Sequence, residues 1–196
     1  MLSSLILKEL QQAMKQKEIL ISMVVFGVII TLLFSFAFNT VPGALKQIFP
    51  GLQWLTFFFI AVLGLLRTFA AEQKMSAYHL LLTSPVDRSF IYLAKLCSFW
   101  IILNLSQFII LPFFTLFLPL DFSGQWVNVL IILFISNWAI SAVGVLIAGI
   151  CFDTSIGEIL LPILLFPILC PVLIGAIKLT IAVTLDNFVI NSIWFM

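Results

Sequence analysis

Charge is what this chain has least of. Only 9% of its 196 residues are Asp, Glu, Lys or Arg, against about 25% in an ordinary soluble domain. Histidine occurs once, tyrosine twice and cysteine three times. Each scarcity excludes something. A net charge of +1 leaves no basic footprint for nucleic acid. Cys97, Cys151 and Cys170 are widely spaced, with no CxxC and no zinc spacing, so they read as small apolar packing residues rather than metal ligands. No HExxH, no Ser/His arrangement and no acidic pair inside an apolar run is present, which argues against an intramembrane hydrolase. The centres of the apolar runs hold no ionisable side chain, which argues against a proton relay. Gly-x-x-x-x-Gly-Lys-[Ser/Thr] is missing as well, so this chain offers no phosphate-binding loop for ATP. The expectation is a non-catalytic chain without an intrinsic cofactor or metal.

What is there in abundance is hydrocarbon. Apolar residues make up 63% of the chain, 21 of them Phe, and the mean hydropathy is +1.28. Such a chain has the lipid bilayer as its solvent. A spanning helix needs roughly 20 apolar residues, which leaves room for five or six spans and no separate soluble domain. Five spans are expected, at residues 19–38, 49–66, 96–118, 126–152 and 156–177. Turns fall at 39–43, 119–125 and 153–155, where Pro, Gly, Asp and Asn gather. Ser155 and Glu158 form a capping box for the fifth span. That span carries Pro162, Pro167 and Pro171, which predict kinks or a break. Ahead of the first span, residues 1–18 show helical apolar spacing with Lys and Gln opposite, as in an interfacial helix. The first apolar run is too long for a signal peptide and lacks a cleavage site. Residues 179–196 are interrupted by Asp186, Asn187 and Asn191, and read as an interfacial or re-entrant segment. The fold class is therefore all-α, a polytopic membrane bundle in a single domain of residues 1–196.

One long polar interruption breaks the apolar chain, at residues 67–95. It holds Arg67, Glu72, Lys74, His79, Asp87, Arg88 and Lys95, and any soluble partner meets the protein mainly there. Met75, Tyr78, Leu81 and Leu82 share a face of a short amphipathic helix that begins near Glu72. Ser84, Pro85 and Asp87 are start signals for a helix running into the third span. Arg67 and Lys95, at span ends, are expected to snorkel to water. His79 has no second His or Cys near it and reads as a solvated surface residue. Seven basic residues (Lys8, Lys15, Lys17, Arg67, Lys74, Arg88, Lys95) lie on one side of the five spans and two (Lys46, Lys178) on the other. That asymmetry places the N-terminus and the polar segment in the cytoplasm. A short cytoplasmic helix followed by a capped one has the layout of a coupling helix for a partner ATPase.

Inside the spans, polarity is confined to stripes. Asn137, Ser141, Gly144, Ala148 and Cys151 recur on one face of the fourth span. Asn104 and Gln107 share a face of the third with Cys97 and Trp100, and Thr31, Ser35 and Asn39 form a shorter stripe on the first. Small residues let helices approach closely, and Asn and Ser bond across the contact. The stripes are helix–helix contacts within one subunit or, alternatively, line a subunit interface or a substrate path.

Several blocks resemble a known family. They are Phe34-Ser-Phe-Ala-Phe-Asn39, Pro50-Gly-Leu-Gln-Trp54, Arg67-Thr-Phe-Ala-Ala-Glu72, Leu80 through Ser89, Ile91-Tyr-Leu-Ala-Lys95 and Leu161 through Phe166 with Pro167 and Pro171. Together they look like the CcmB family, the haem exporter B permease subunit of the cytochrome c maturation ABC complex. The resemblance implies a permease of the type 2 ABC-transporter kind in the bacterial inner membrane, with ATP bound only by a partner. The implied partners are a CcmA-like ATPase, CcmC- and CcmD-like membrane subunits and a second copy of the chain. ATP hydrolysis would drive haem export or release of the haem-loaded chaperone CcmE, with haem as handled substrate. The tryptophan-rich haem motif of CcmC is missing, which favours force transmission. Two departures stand out. Relatives carry an acidic stretch where this chain has Met75 to His79, and a sixth span that this chain is expected to lack. A lipid or drug exporter permease, or a membrane scaffold that needs no ATPase contact at residues 72–82, are the rival readings.

Overall fold

A computed structural model describes residues 17–38, 42–74, 88–117, 126–151, 154 and 156–185. They form five helices: α1 Lys17–Phe38, α2 Pro42–Lys74, α3 Arg88–Phe117, α4 Trp126–Cys151 and α5 Gly157–Leu185. Each is long and apolar enough to cross a membrane. No strand occurs among the described residues, as lipid demands: only a helix satisfies its own backbone within one segment.

The arrangement follows from which faces can approach closely. Helix α2 is the hub, packing on α1, α3, α4 and α5. Its apolar span is 67% buried, against 22% for α1 and 28% for α5. Around it α1 packs on α3, α3 on α4, and α4 on α5. Helix α1 contributes one ridge at four-residue spacing, Ile19, Met23, Gly27 and Thr31, all buried, in the i±4 row that seats in a neighbouring groove. Its other face, with Ile21, Val25, Ile29 and Leu33, points outward. The core on α2 is aromatic. Phe49 and Phe57 each meet Phe114 of α3 edge-to-face, at 5.6 and 5.8 Å between ring centroids, and Trp54 meets Phe57 at 5.8 Å. Such pairs add about 0.5–1.5 kcal/mol beyond their contact area.

The five expected spans are present, but several ends differ. Helix α2 starts at Pro42, inside the expected turn, and runs on through Pro50 to Lys74, so the first part of the polar segment is helical. Pro42 suits a first helical position because its missing N–H would have no partner there. Helix α5 is not broken: it continues through Pro162, Pro167 and Pro171 and on to Leu185. Its final turns, expected to belong to the segment at 179–196, are held instead by Thr180. That buried hydroxyl accepts a 2.9 Å hydrogen bond from Trp54 Nε1 and donates to the Ala176 carbonyl at 2.7 Å. Residues 1–16 of the expected interfacial helix, residues 75–87 and residues 186–196 lie outside the described residues.

The α4–α5 connection is tight. Thr154 donates its hydroxyl and its amide to the Cys151 carbonyl, at 2.7 and 3.2 Å, closing the end of α4. Gly157 then begins α5 so close to that same carbonyl that a β-carbon at this position would collide with backbone. Only glycine fits without moving one helix away from the other. Ser155, half of the expected capping box, lies outside the described residues, and Glu158 is exposed in the first turn.

Candidate functional site

The polar stripes of α3 and α4 meet. Asn137 of α4 is fully buried and its amide nitrogen donates twice, to Asn104 Oδ1 at 3.0 Å and to Gln107 Oε1 at 2.7 Å, both on α3. Asn104 in turn donates to the carbonyl of Trp100 at 2.7 Å. The spacing explains why these residues converge. Asn104 and Gln107 lie three apart on α3, on adjoining parts of one face, and a single amide on α4 reaches both. Tyr92 Oη donates to the Ala142 carbonyl of α4 at 2.9 Å and Trp100 Nε1 to the Phe134 carbonyl at 3.2 Å. Trp100 also lies against Phe134 and Trp138, with centroids at 5.6 and 5.3 Å. The α3–α4 seam is thus polar at its centre and aromatic along its rim.

The remaining stripe residues of α4 are buried. Ser141 and Ala148 are inaccessible. Gly144 sits at the junction of α4 with α2 and α5: a β-carbon there would lie 2.7 Å from Leu65 Cδ1 and 3.7 Å from Leu165 Cδ1. Gly144 therefore sets how closely α4 approaches the hub. On α1, Thr31 bonds its own helix at the Gly27 carbonyl, while Ser35 donates to the Phe117 carbonyl of α3 at 2.9 Å. Asn39 is outside the described residues.

Toward the polar segment the structure corrects one expectation. Arg67 is exposed, but Lys95 does not snorkel. It is 8% accessible, with Nζ 5.6 Å from the centroid of the Phe69 ring on α2. A cation over an aromatic face is held by the ring quadrupole, which replaces part of the water that snorkelling would supply. Of the residues assigned to ATPase coupling, Glu72 falls in the last turn of α2, and Met75, Tyr78, Leu81 and Leu82 lie outside the described residues, as does His79.

Chemically, the seam is suited to positioning helices, since its central Asn and Gln side chains are uncharged hydrogen-bonding groups. Among the described residues no group of three His, Cys, Asp or Glu side chains is placed to hold a metal ion. Sequence reasoning overlooked Phe134, Trp138 and Tyr92 on the seam, and Thr180 as partner of Trp54. Trp138 occurs far from the span ends where Trp usually gathers, which was a readable signal. The Thr180 contact left none.

Comparison with known proteins adds a second line of observation. The family model described as "CcmB protein" matches residues 1–195. The protein named "Heme exporter protein B" of Haemophilus influenzae is 26% identical over 172 residues, covering 88% of this chain and 77% of that one. Its namesake in Rhodobacter capsulatus is 28% identical over 155 residues, covering 79% and 70%. The namesake in Pseudomonas aeruginosa is 26% identical over 173 residues, covering 88% and 77%.

Proposed function

Because this chain belongs to the CcmB family, we propose that it is the membrane subunit of an ABC complex for cytochrome c biogenesis. In that role it couples ATP hydrolysis by a CcmA-like ATPase to haem export, or to release of a haem-loaded chaperone. The carrying observation is the family match over nearly the whole chain, together with relatives named for haem export. It is a multi-pass membrane protein. Residence in the bacterial inner membrane rests on the family, and a cytoplasmic N-terminus on the asymmetry of basic residues. CcmC- and CcmD-like subunits and a second copy complete the proposed complex. ATP and its hydrolysis belong to the partner, and haem is cargo rather than a resident cofactor.

One feature of the fold supports force transmission. The hub helix α2 is continuous from Pro42 to Lys74. It touches every other helix and also enters the polar segment on which an ATPase would dock. A displacement of residues 67–74 is then a displacement of the element around which the bundle is packed. No loop intervenes to absorb it.

Co-purification tests this reading. The ATPase should be retained by the wild-type chain in detergent. The double substitution Tyr78→Ala, Leu81→Ala should weaken retention at least tenfold, because truncated interface anchors cost about 2 kcal/mol or more. Membrane insertion should be unchanged, since both positions lie outside the spans. Equal retention by wild type and variant would remove the coupling assignment. Failure of the chain to restore c-type cytochromes in a strain lacking its CcmB would remove the assignment to cytochrome c biogenesis.

A further inference from the structure

Three polar atoms on the stripes of α3 and α4 remain without a partner although they are sealed from solvent: Gln107 Nε2, Asn137 Oδ1 and Ser141 Oγ. All three residues are 0% accessible. Asn137 spends its amide hydrogens on Asn104 and Gln107, so its own carbonyl oxygen is left over, as is the amide nitrogen of Gln107. Ser141 stands one turn from Asn137 on the same face of α4. The leftovers are chemically complementary to one another: an acceptor, a donor and a hydroxyl that is both. Leaving three such groups dry costs more than the two amide bonds beside them return, and the bilayer offers no remedy.

We propose that Gln107, Asn137 and Ser141 bind a water molecule inside the bundle, between α3 and α4. Water donates to Asn137 Oδ1, accepts from Gln107 Nε2 and exchanges a hydrogen bond with Ser141 Oγ. Three bonds is the usual complement of a buried water. The site is a built one, its carboxamides held in place by hydrogen bonds of 2.7 and 3.0 Å. It makes the seam a hydrated contact inside a membrane protein, independent of what the complex transports. Ser98 provides an internal control. Its hydroxyl is also buried without a partner, but it lies nine residues before Gln107, on the opposite side of α3.

Water-edited solid-state NMR on the full chain in deuterated lipid bilayers tests the proposal, with nitrogen-15 in Asn and Gln side chains. Water magnetisation should reach the side-chain amides of Asn137 and Gln107 about as fast as it reaches backbone amides at the aqueous helix ends. Ser141→Ala should slow that transfer severalfold, and Ser98→Ala should leave it unchanged. Absence of transfer in the wild type, or equal transfer in Ser141→Ala, overturns the site. Unfolding provides a second readout. Removing a water-bonded hydroxyl lowers the midpoint, whereas removing a dry, unpaired one raises it; a raised midpoint for Ser141→Ala overturns the proposal.

Discussion

The hub's aromatic surface and the α3–α4 seam are both buried, and they are held by opposite means. Around Phe57 there are rings at edge-to-face angles, and the phenyl itself makes no directed bond. Around Asn137 there are three amide side chains with directed bonds and few alternatives. In water the rings would gain from leaving the solvent, whereas the amides would give up bonds to water and only recover them inside. In lipid the hydrocarbon outside is as apolar as the ring, so the aromatic core gains only from close packing, while the amides gain from having nowhere else to bond. The two regions should therefore fail differently: the first by cavity, the second by orphaned polar groups.

The largest expected effect tests the dry side. Phe57→Ala removes a ring that contacts both Trp54 and Phe114. The cost should be about 3 kcal/mol, the lower end of the soluble-protein range because transfer from water contributes less here. Unfolding in mixed micelles would measure it. A loss near zero would mean that lipid chains fill the gap. Gly144→Leu comes next, at the junction of the two regions, where even one added carbon meets Leu65 at 2.7 Å. Overpacking of this kind costs about 1–3 kcal/mol, and assembly into a complex, read by size exclusion, should fall while insertion persists.

The polar side is broken by Asn137→Ala, expected at about 2 kcal/mol because it strands the carbonyl oxygens of Asn104 and Gln107. The comparison is sharpened by replacing Asn104, Gln107 and Asn137 together with Leu. If stranded polar groups are the cause, the triple variant unfolds later than Asn137→Ala alone. The smallest effect belongs to Trp54→Phe, which keeps an aromatic ring and deletes one hydrogen bond to Thr180. It should cost about 0.6–1.7 kcal/mol, and a larger loss would show that the indole ring packs better than phenyl.

The same contrast explains what could be read in advance. Span number was legible because bilayer thickness sets the length of an apolar run. The seam was legible because Asn137, Ser141 and Gly144 are conspicuous on an otherwise uniform helix. The aromatic core was not. A span that faces lipid on one side and protein on the other is apolar all round, so Phe57, fully buried, and Phe59, exposed, look alike in sequence. Periodicity names a face but not its neighbour, so neither Leu65 opposite Gly144 nor Thr180 opposite Trp54 could be anticipated. Lys95 departed from its expected place because snorkelling considers one helix at a time, and Phe69 belongs to another. The prolines of α5 leave the helix unbroken because each removes only one bond of the ladder, and the helix resumes on either side.

The bond between Trp54 and Thr180 closes across 126 residues of chain. At ribosomal speeds of about 5–20 residues per second, the indole is made roughly 6–25 s before its acceptor exists. During that interval the central helix of the finished bundle receives α3 and then α4, and its indole waits for α5. The birth order of the helices thus gives the element that everything else packs on one companion at the start, α1, and leaves Trp54 without its acceptor until the last helix is made.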